Sequence, residues 1–337
     1  MNLITGGTGL VGAHLLLFLL EKNEPVRALY RTEQTLDKTK KLFAFYQKQD
    51  LFLLINWVKA DITDTTSLDT AFEGITHVYH CAAYISLSST DKKMYKTNIE
   101  GTANIVNFSI DYGIKKLCYV SSIASIGAPE KPNRIATEAT EWNPNADHTD
   151  YAISKYGGET EVFRGSQEGI EVVVVNPGII LGPEFWNSES ARFFKEIHKG
   201  LSYYTKGITG FVAVTDVVRA MYELMHSKVN IEKYILVGKN ITFEDFLNQI
   251  ATAINAKKPS VYAKPWMTKL ASQIDFIFSK LFFRKRKLTS SMSKAAHASY
   301  TYSSAKIERE LNFEFTDLNA YIDQMGKNYL DYLHNKK

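Results

Sequence analysis

Few cysteines, little net charge and no apolar run of membrane length each narrow what this chain can be. Cys81 and Cys118 both fall inside apolar runs that read as buried strands, and neither has a partner at metal-ligand spacing. A reducing cytoplasm suits such a chain best. The 40 Lys and Arg stand against 36 Asp and Glu, a net charge of +4 over 337 residues, so nothing in the overall charge calls for nucleic acid. The apolar run LVGAHLLLFLL, residues 10–20, falls short of the roughly 20 residues that a bilayer requires. A first strand expected from Asn2 leaves no room for a charged leader with a cleavable apolar segment. Internal repeats and low-complexity stretches are missing too.

What remains is an ordinary globular composition, 45% hydrophobic and 23% charged, long enough for one large α/β domain with a smaller lobe. Strand-like runs at 2–5, 25–30, 52–59, 76–81, 116–121 and 170–176 alternate with helical patterns near 10–22, 35–48, 65–73, 91–112 and 151–168. That alternation predicts a doubly wound parallel sheet. The four consecutive valines of EVVVVN, residues 171–176, suit a central strand covered on both faces. After residue 176 the regularity weakens. Residues 1–176 are therefore expected to form the large domain, with 211–238 rejoining it. Residues 177–210 and 239–337 are expected to form a smaller, mostly helical lobe that binds substrate.

TGGTGLVG, residues 5–12, sits between a strand and a helix, the context that makes a glycine pattern a phosphate-binding turn. Gly6, Gly9 and Gly12 allow a tight turn, close backbone approach to a pyrophosphate and close helix-to-strand packing. YAISK, residues 151–155, places Tyr151 and Lys155 on one face of a helix. A phenol titrates near 10 in water, and a neighbouring ammonium would lower that value enough for proton exchange with an alcohol or carbonyl. Alone, such a pair more often means two solvated helix residues.

These two motifs are accompanied, in order, by ADI at 60–62, HCAA at 80–83, NIEGT at 98–102, YVSSIASIG at 119–127 and NPGIILGP at 176–183. Together they resemble the extended branch of the short-chain dehydrogenase/reductase superfamily, which includes the NAD-dependent epimerase/dehydratases. The resemblance runs from residue 2 to about 240 and is loose beyond. It implies a Rossmann-type fold, hydride transfer to or from a bound nicotinamide, and Tyr151 as acid/base with Lys155 as its pKa partner and ribose anchor. Ser122 would orient the substrate oxygen, because the family's catalytic hydroxyl lies five residues before the glycine matching Gly127. Ser121 is the competing choice, and a strand-ending Ser-Ser can also merely cap backbone. Asn98 would support the helix and a water near Lys155. In the glycine turn, Thr8, Leu10 and Val11 would join the glycines around the cofactor. Asp61 and Ile62 would flank its adenine, Ala82 and Ala83 would let it pass the sheet edge, and Pro177 and Gly178 would close its far end. His80 reads as structural.

VRALYR, residues 26–31, ends in Arg31 where an NAD-binding unit delivers an acidic residue to the ribose hydroxyls. It resembles the dihydroflavonol reductase-like group, in which this arginine faces the 2′-phosphate of NADP, and a guanidinium suits phosphate. The bland alternative is an exposed arginine at a strand end. NADP is thus the expected cofactor, with NAD as the alternative. Dehydratase variants carry Asp-Glu after the catalytic hydroxyl, whereas Ile123 and Ala124 stand here. Tyr84, Ile85, Phe185, Trp186, Phe193, Phe194, Tyr203 and Tyr204 lie on the expected substrate side, with fewer than half expected in a pocket and the rest in the core.

The expected activity is interconversion of a carbonyl and a secondary alcohol on an apolar small molecule. A nucleotide-sugar epimerase is the runner-up, and a non-catalytic NADP sensor ranks below it. Homodimers are common in the resembling family, and one is expected here. The stretch 264–287 repeats Trp266, Leu270, Ile274, Ile277, Phe278 and Leu281 at helical spacing and ends in Arg284, Lys285, Arg286 and Lys287. Such a helix either packs its apolar stripe on the second lobe as a lid, which is the expectation, or makes a weak contact with an anionic membrane surface.

Overall fold

The computed structural model describes residues 1–85, 92–127, 135–186, 188, 191–281 and 288–335. Its centre is a seven-stranded sheet in the order Asn56–Lys59, Val26–Tyr30, Asn2–Thr5, His77–His80, Lys116–Val120, Glu171–Pro177, Glu232–Leu236. Every neighbouring pair is parallel. Strand order reverses between Asn2–Thr5 and His77–His80, the switch point beyond whose carboxyl ends a Rossmann-type sheet opens a crevice.

Both faces of the sheet are covered, which is why its central strands are apolar without alternation. On one face Leu15, Leu16 and Leu19 of helix Leu10–Glu21 and Met221 and Leu224 of helix Val214–His226 pack on Cys118, Val173 and Val175. On the other, Ile105 and Val106 of helix Gly101–Asp111 and Val162 of helix Asp150–Gln167 meet Leu117, Tyr119, Val172 and Val174. Glu232–Leu236 adds the last strand beside Glu171–Pro177. Ile208–Ala213 belongs instead to a small sheet, between Ile179–Leu181 and Lys239–Thr242. Behind that sheet, helices Phe243–Ala253 and Leu318–His334 enclose a second core around Trp186, Phe194, Phe211, Phe246 and Tyr329.

Two expectations fail locally, and a third holds with an irregularity. Residues 52–55 are not strand: a short helix, Gln49–Phe52, runs into a turn that leaves Leu53 and Leu54 79% and 64% exposed, and pairing starts only at Asn56. An apolar run by itself does not distinguish the two states. The helical stretch near 91–112 is not uniform, since Lys96–Glu100 forms a π-helical turn that carries Asn98. Helix Pro265–Leu281 does not pack its apolar stripe on the lobe, because it buries Ser272 and Asp275 and leaves the stripe outside. The four basic residues 284–287 lie outside the described residues. Among the described residues no helix is long and apolar enough to cross a membrane.

Two buried imidazoles couple this core to pH. Burial holds His14 down at about 4, although its bond to the Leu10 carbonyl acts the other way. His80 is held at about 3 by burial, with the field of Lys155 adding to it. Folding depresses both below the ordinary value near 6.5, so below that pH the unfolded chain binds protons that the folded chain refuses. Stability is therefore expected to fall as pH drops from about 6.5 towards 4, by about 1.4 kcal/mol per pH unit for each ring. Urea denaturation midpoints across that range check it: His80→Gln should flatten the slope relative to wild type.

Candidate active site

The glycine turn is built at the switch point. Gly6 has φ +68°, and a Cβ there would stand 2.7 Å from the Ala82 nitrogen. A Cβ on Gly12 would come within 2.2 Å of the Gly6 oxygen, so the helix starts in direct backbone contact with the turn. Gly9 precedes helix Leu10–Glu21 with no side-chain cap, and the first turn has no acidic residue. The helix thus presents free N–H groups and the positive end of its dipole to the crevice, which fits a pyrophosphate. Beneath it the Thr5 hydroxyl accepts the Ala82 N–H at 3.1 Å and bonds His80 at 2.6 Å, and the other His80 nitrogen meets Thr102 at 2.9 Å. His80 is a buried tie between strands and helix.

Tyr151 and Lys155 lie on helix Asp150–Gln167, whose start is capped by Thr149. Ser122 lies two residues beyond the neighbouring strand, which ends at Val120; its hydroxyl accepts the Ala124 N–H at 3.1 Å and is near enough to the Tyr151 phenol to pull it down. Burial raises the Tyr151 phenol, and the bond to Ser122 draws it partly back. Lys155 is 2% exposed; burial brings it down to about 7 against the pull of Glu159. Its ammonium donates to the Val120 carbonyl at 2.7 Å and lies 4.5 Å from the centre of the Tyr119 ring. Burial governs the tyrosine in this geometry, and the Lys155 ammonium donates to the strand behind it.

The two serines separate sharply. Ser121 also borders the cavity, but its hydroxyl donates to the Glu159 carboxylate at 2.8 Å, where Ser125 (2.8 Å), Asn176 (3.0 Å) and Lys233 (3.4 Å) also converge. Asn98 sits behind the site: its amide donates to the Tyr84 carbonyl at 2.9 Å and to Ser154 at 3.0 Å, and its oxygen accepts the Tyr84 N–H at 2.7 Å. It fastens the loop after His80 to the helix that carries Tyr151.

A cavity of about 620 Å³ brings most of the expected residues together. Gly6, Gly9, Leu10, Val11, Gly12 and Ala83 line one end, and Ser122, Tyr151, Lys155, Pro177 and Gly178 the middle. Thr8, Ile62, Ala82 and Asn98 do not line it. Ile62 is buried where Gly101 leaves room, and Ala82 packs under Gly6. Past Tyr151 the walls are Ile85, Ile123, Ile179, Ile180, Ile208, Phe243, Tyr300 and Tyr302. Of the eight residues expected near substrate only Ile85 is here. Trp186 and Phe194 fill the second core, Phe185 packs on His14, Phe193 on Phe246, Tyr204 on Tyr262, and Tyr203 is exposed. Tyr300 and Tyr302 come from the C-terminal hundred residues, where the sequence offers no motif.

Arg31 lines a second cavity of about 610 Å³ with Thr32, Thr35, Lys59, Asp61, Ser67 and Lys93. Arg27, the other arginine of VRALYR, is instead consumed by the carbonyls of Thr70, Ala71 and Glu73. Burial works to raise the Asp61 carboxyl, but bonds from Thr63 at 2.9 Å and the fields of Arg31 and Lys93 hold it below the usual range. Lys59 and Lys93 escaped the sequence reading. Lys59 had a usable signal, since it ends the third strand directly beside Tyr30.

The chain matches the NAD dependent epimerase/dehydratase family over residues 2–238 and belongs to it. It is therefore an NAD(P)-dependent oxidoreductase with a nicotinamide cofactor. Sterol demethylase protein B of Methylococcus capsulatus is 25% identical over 288 residues, 85% of this chain and 84% of that protein. A putative dihydroflavonol 4-reductase of Synechocystis is 29% identical over 273 residues, 78% and 75% of the two chains. The solved UDP-glucose 4-epimerase of Thermotoga maritima, with UDP-glucose, shares the fold at a TM-score of 0.77 and 20% identity, covering 99% of this chain and 100% of that one.

The carboxylate beneath the site gives a direct test. Glu159→Ala strands Ser121, Ser125 and Asn176 without their shared acceptor, and should cost about 3 kcal/mol or more in urea denaturation. A loss below about 1 kcal/mol would show that the helix is held by packing alone.

Proposed function

We propose that the protein is an NADP-preferring reductase that interconverts a carbonyl and a secondary alcohol on an apolar small molecule. The observation that carries this reading is the Ser122–Tyr151 hydroxyl pair, with Lys155 behind it, at the floor of a cavity whose far wall is almost wholly aliphatic and aromatic. The nicotinamide, when bound, supplies or accepts the hydride. In the reducing direction Tyr151 donates its proton to the carbonyl oxygen as the carbon takes the hydride. Burial raises the phenol and so keeps that proton in place at neutral pH. Ser122 donates a hydrogen bond to the same oxygen, one that strengthens as negative charge develops. The Lys155 ammonium stabilises the phenolate left behind. The names of the curated relatives, a sterol-modifying protein and a flavonoid reductase, are consistent with a ring system in the apolar wall.

The proposed preference for NADP rests on the second cavity, where three cations, Arg31, Lys59 and Lys93, outnumber the carboxylates of Asp61 and Asp64 among the hydroxyls of Thr32, Thr35 and Ser67. That set suits a phosphate monoester far better than a bare ribose diol. A nucleotide-sugar epimerase shares this fold and is the second reading. It calls for NAD that stays bound during turnover of a sugar nucleotide with no net cofactor consumption.

A panel of ketones, aldehydes and alcohols assayed with NADPH and NADH tests the activity and the cofactor together. Tyr151→Phe should lower kcat for carbonyl reduction by about 100-fold or more with cofactor affinity retained; full activity in that variant would remove Tyr151 from the proton-donor role. Arg31→Asp should weaken NADPH at least about tenfold more than NADH in fluorescence titration. An unchanged ratio would make Arg31 a surface residue only.

A further inference from the structure

Helix Pro265–Leu281 is built inside out. The side chains it buries fully are polar: Ser272 is 3% and Asp275 8% exposed, Thr268 is half-buried and bonds His297 at 2.9 Å and Ser293 at 2.8 Å, and Asp275 accepts the Leu288 N–H at 3.1 Å. Residues 268, 272, 275 and 279 form that inner line at helical spacing. On the opposite side Trp266, Leu270, Ile274, Ile277, Phe278 and Leu281 are between 45% and 66% exposed. One large apolar residue left in water needs no explanation, whereas a continuous four-turn stripe of them does. The polar contacts also hold the helix in this orientation, because rolling the stripe inward would turn Ser272 and Asp275 outwards, away from their partners, and cost their hydrogen bonds.

Charge is segregated in the same region. Between residues 257 and 300 the sequence has ten Lys and Arg and a single acid, Asp275, leaving 30 Lys and Arg against 35 Asp and Glu in the rest of the chain. Asp275 is buried, so the acid does not offset the cations at the surface. Lys264, Lys269 and Lys280, on or beside the helix, are exposed. The helix packs on Ser290–Ala295, and Ala295 and Ala298 line the cavity that holds Tyr151.

We propose that helix Pro265–Leu281 is a membrane-surface element that seats this protein on an anionic lipid bilayer. An apolar stripe with lysines alongside meets the two requirements of an interfacial helix, acyl-chain contact for Trp266, Leu270, Ile274, Ile277 and Leu281 and attraction of the lysines to lipid phosphates. A protein partner would require a matching acidic apolar groove; an acidic lipid surface supplies both features without shape. The seat places the bilayer behind one wall of the apolar cavity. The proposal goes beyond the reductase reading and does not rest on it, since lipid binding is measured without substrate.

The full chain is sedimented with vesicles of phosphatidylcholine containing phosphatidylglycerol and with vesicles of phosphatidylcholine alone. Wild type should partition about tenfold or more in favour of the anionic vesicles and be released by salt. Leu270→Ser combined with Ile277→Ser should reduce that partition about tenfold, as should Lys269→Glu with Lys280→Glu. These substitutions are at exposed positions, and unchanged NADPH affinity and urea midpoint verify the fold. Three results would overturn the proposal: no binding of wild type to anionic vesicles at low salt, equal binding by the stripe variant, or a wild-type dimer in sedimentation velocity that the stripe variant dissociates. The last would assign the stripe to a second copy of the chain.

Discussion

The site depends first on the Glu159 carboxylate, buried to 3% exposure between a helix and three strand ends. An ion in that position is tolerable only if donors replace water, and Ser121, Ser125, Asn176 and Lys233 do so from the loop after Lys116–Val120, the strand Glu171–Pro177 and the edge strand Glu232–Leu236. Because Glu159 is one turn from Lys155 and two from Tyr151, the same bonds fix where the helix stands against Ser122. The Lys155 bond to Val120 and the Asn98 bonds to Tyr84 and Ser154 add two further fastenings. The proposed proton transfer needs such support, because small displacements of the donor are costly in rate.

Around that fixed centre the fold places two unlike cavities. One, at the carboxyl end of the second and third strands, is cationic and hydroxyl-rich; the other, under the smaller lobe, is apolar. The glycine turn lies in the apolar cavity beside the first helix, whose start has no side-chain cap. A dinucleotide with an extra phosphate at one end and an apolar substrate at the other fits that division of charge. Helix Pro265–Leu281 continues it outwards, with apolar and basic side chains at the surface and polar ones within.

Much of this was legible in the chain itself. The strand–turn–helix context of TGGTGLVG, the four valines at 172–175 and the Tyr151–Lys155 spacing each follow from local rules of periodicity and backbone sterics. They led to the parallel order, the glycine turn and the helix that carries the phenol. The failures also have local causes. Leu53 and Leu54 are apolar yet point outwards, because the short helix before them ends in a turn. Trp186 and Phe194 look like pocket aromatics by position but serve a second core. No sequence rule distinguishes an aromatic that fills a core from one that lines a cavity.

By itself, then, the sequence determined the doubly wound sheet, the glycine turn and the placing of Tyr151 and Lys155 on one helix face, because each depends on residues within a few positions of one another or on a repeating pattern. Only the tertiary structure decided which serine faces Tyr151, that Lys59 and Lys93 join Arg31, that Tyr300 and Tyr302 close the apolar wall, and that the basic helix turns its apolar side to the surface. Those outcomes depend on contacts between segments far apart in the chain, and on which of two competing burials, Ser272 and Asp275 or the apolar stripe, the packed neighbours could satisfy.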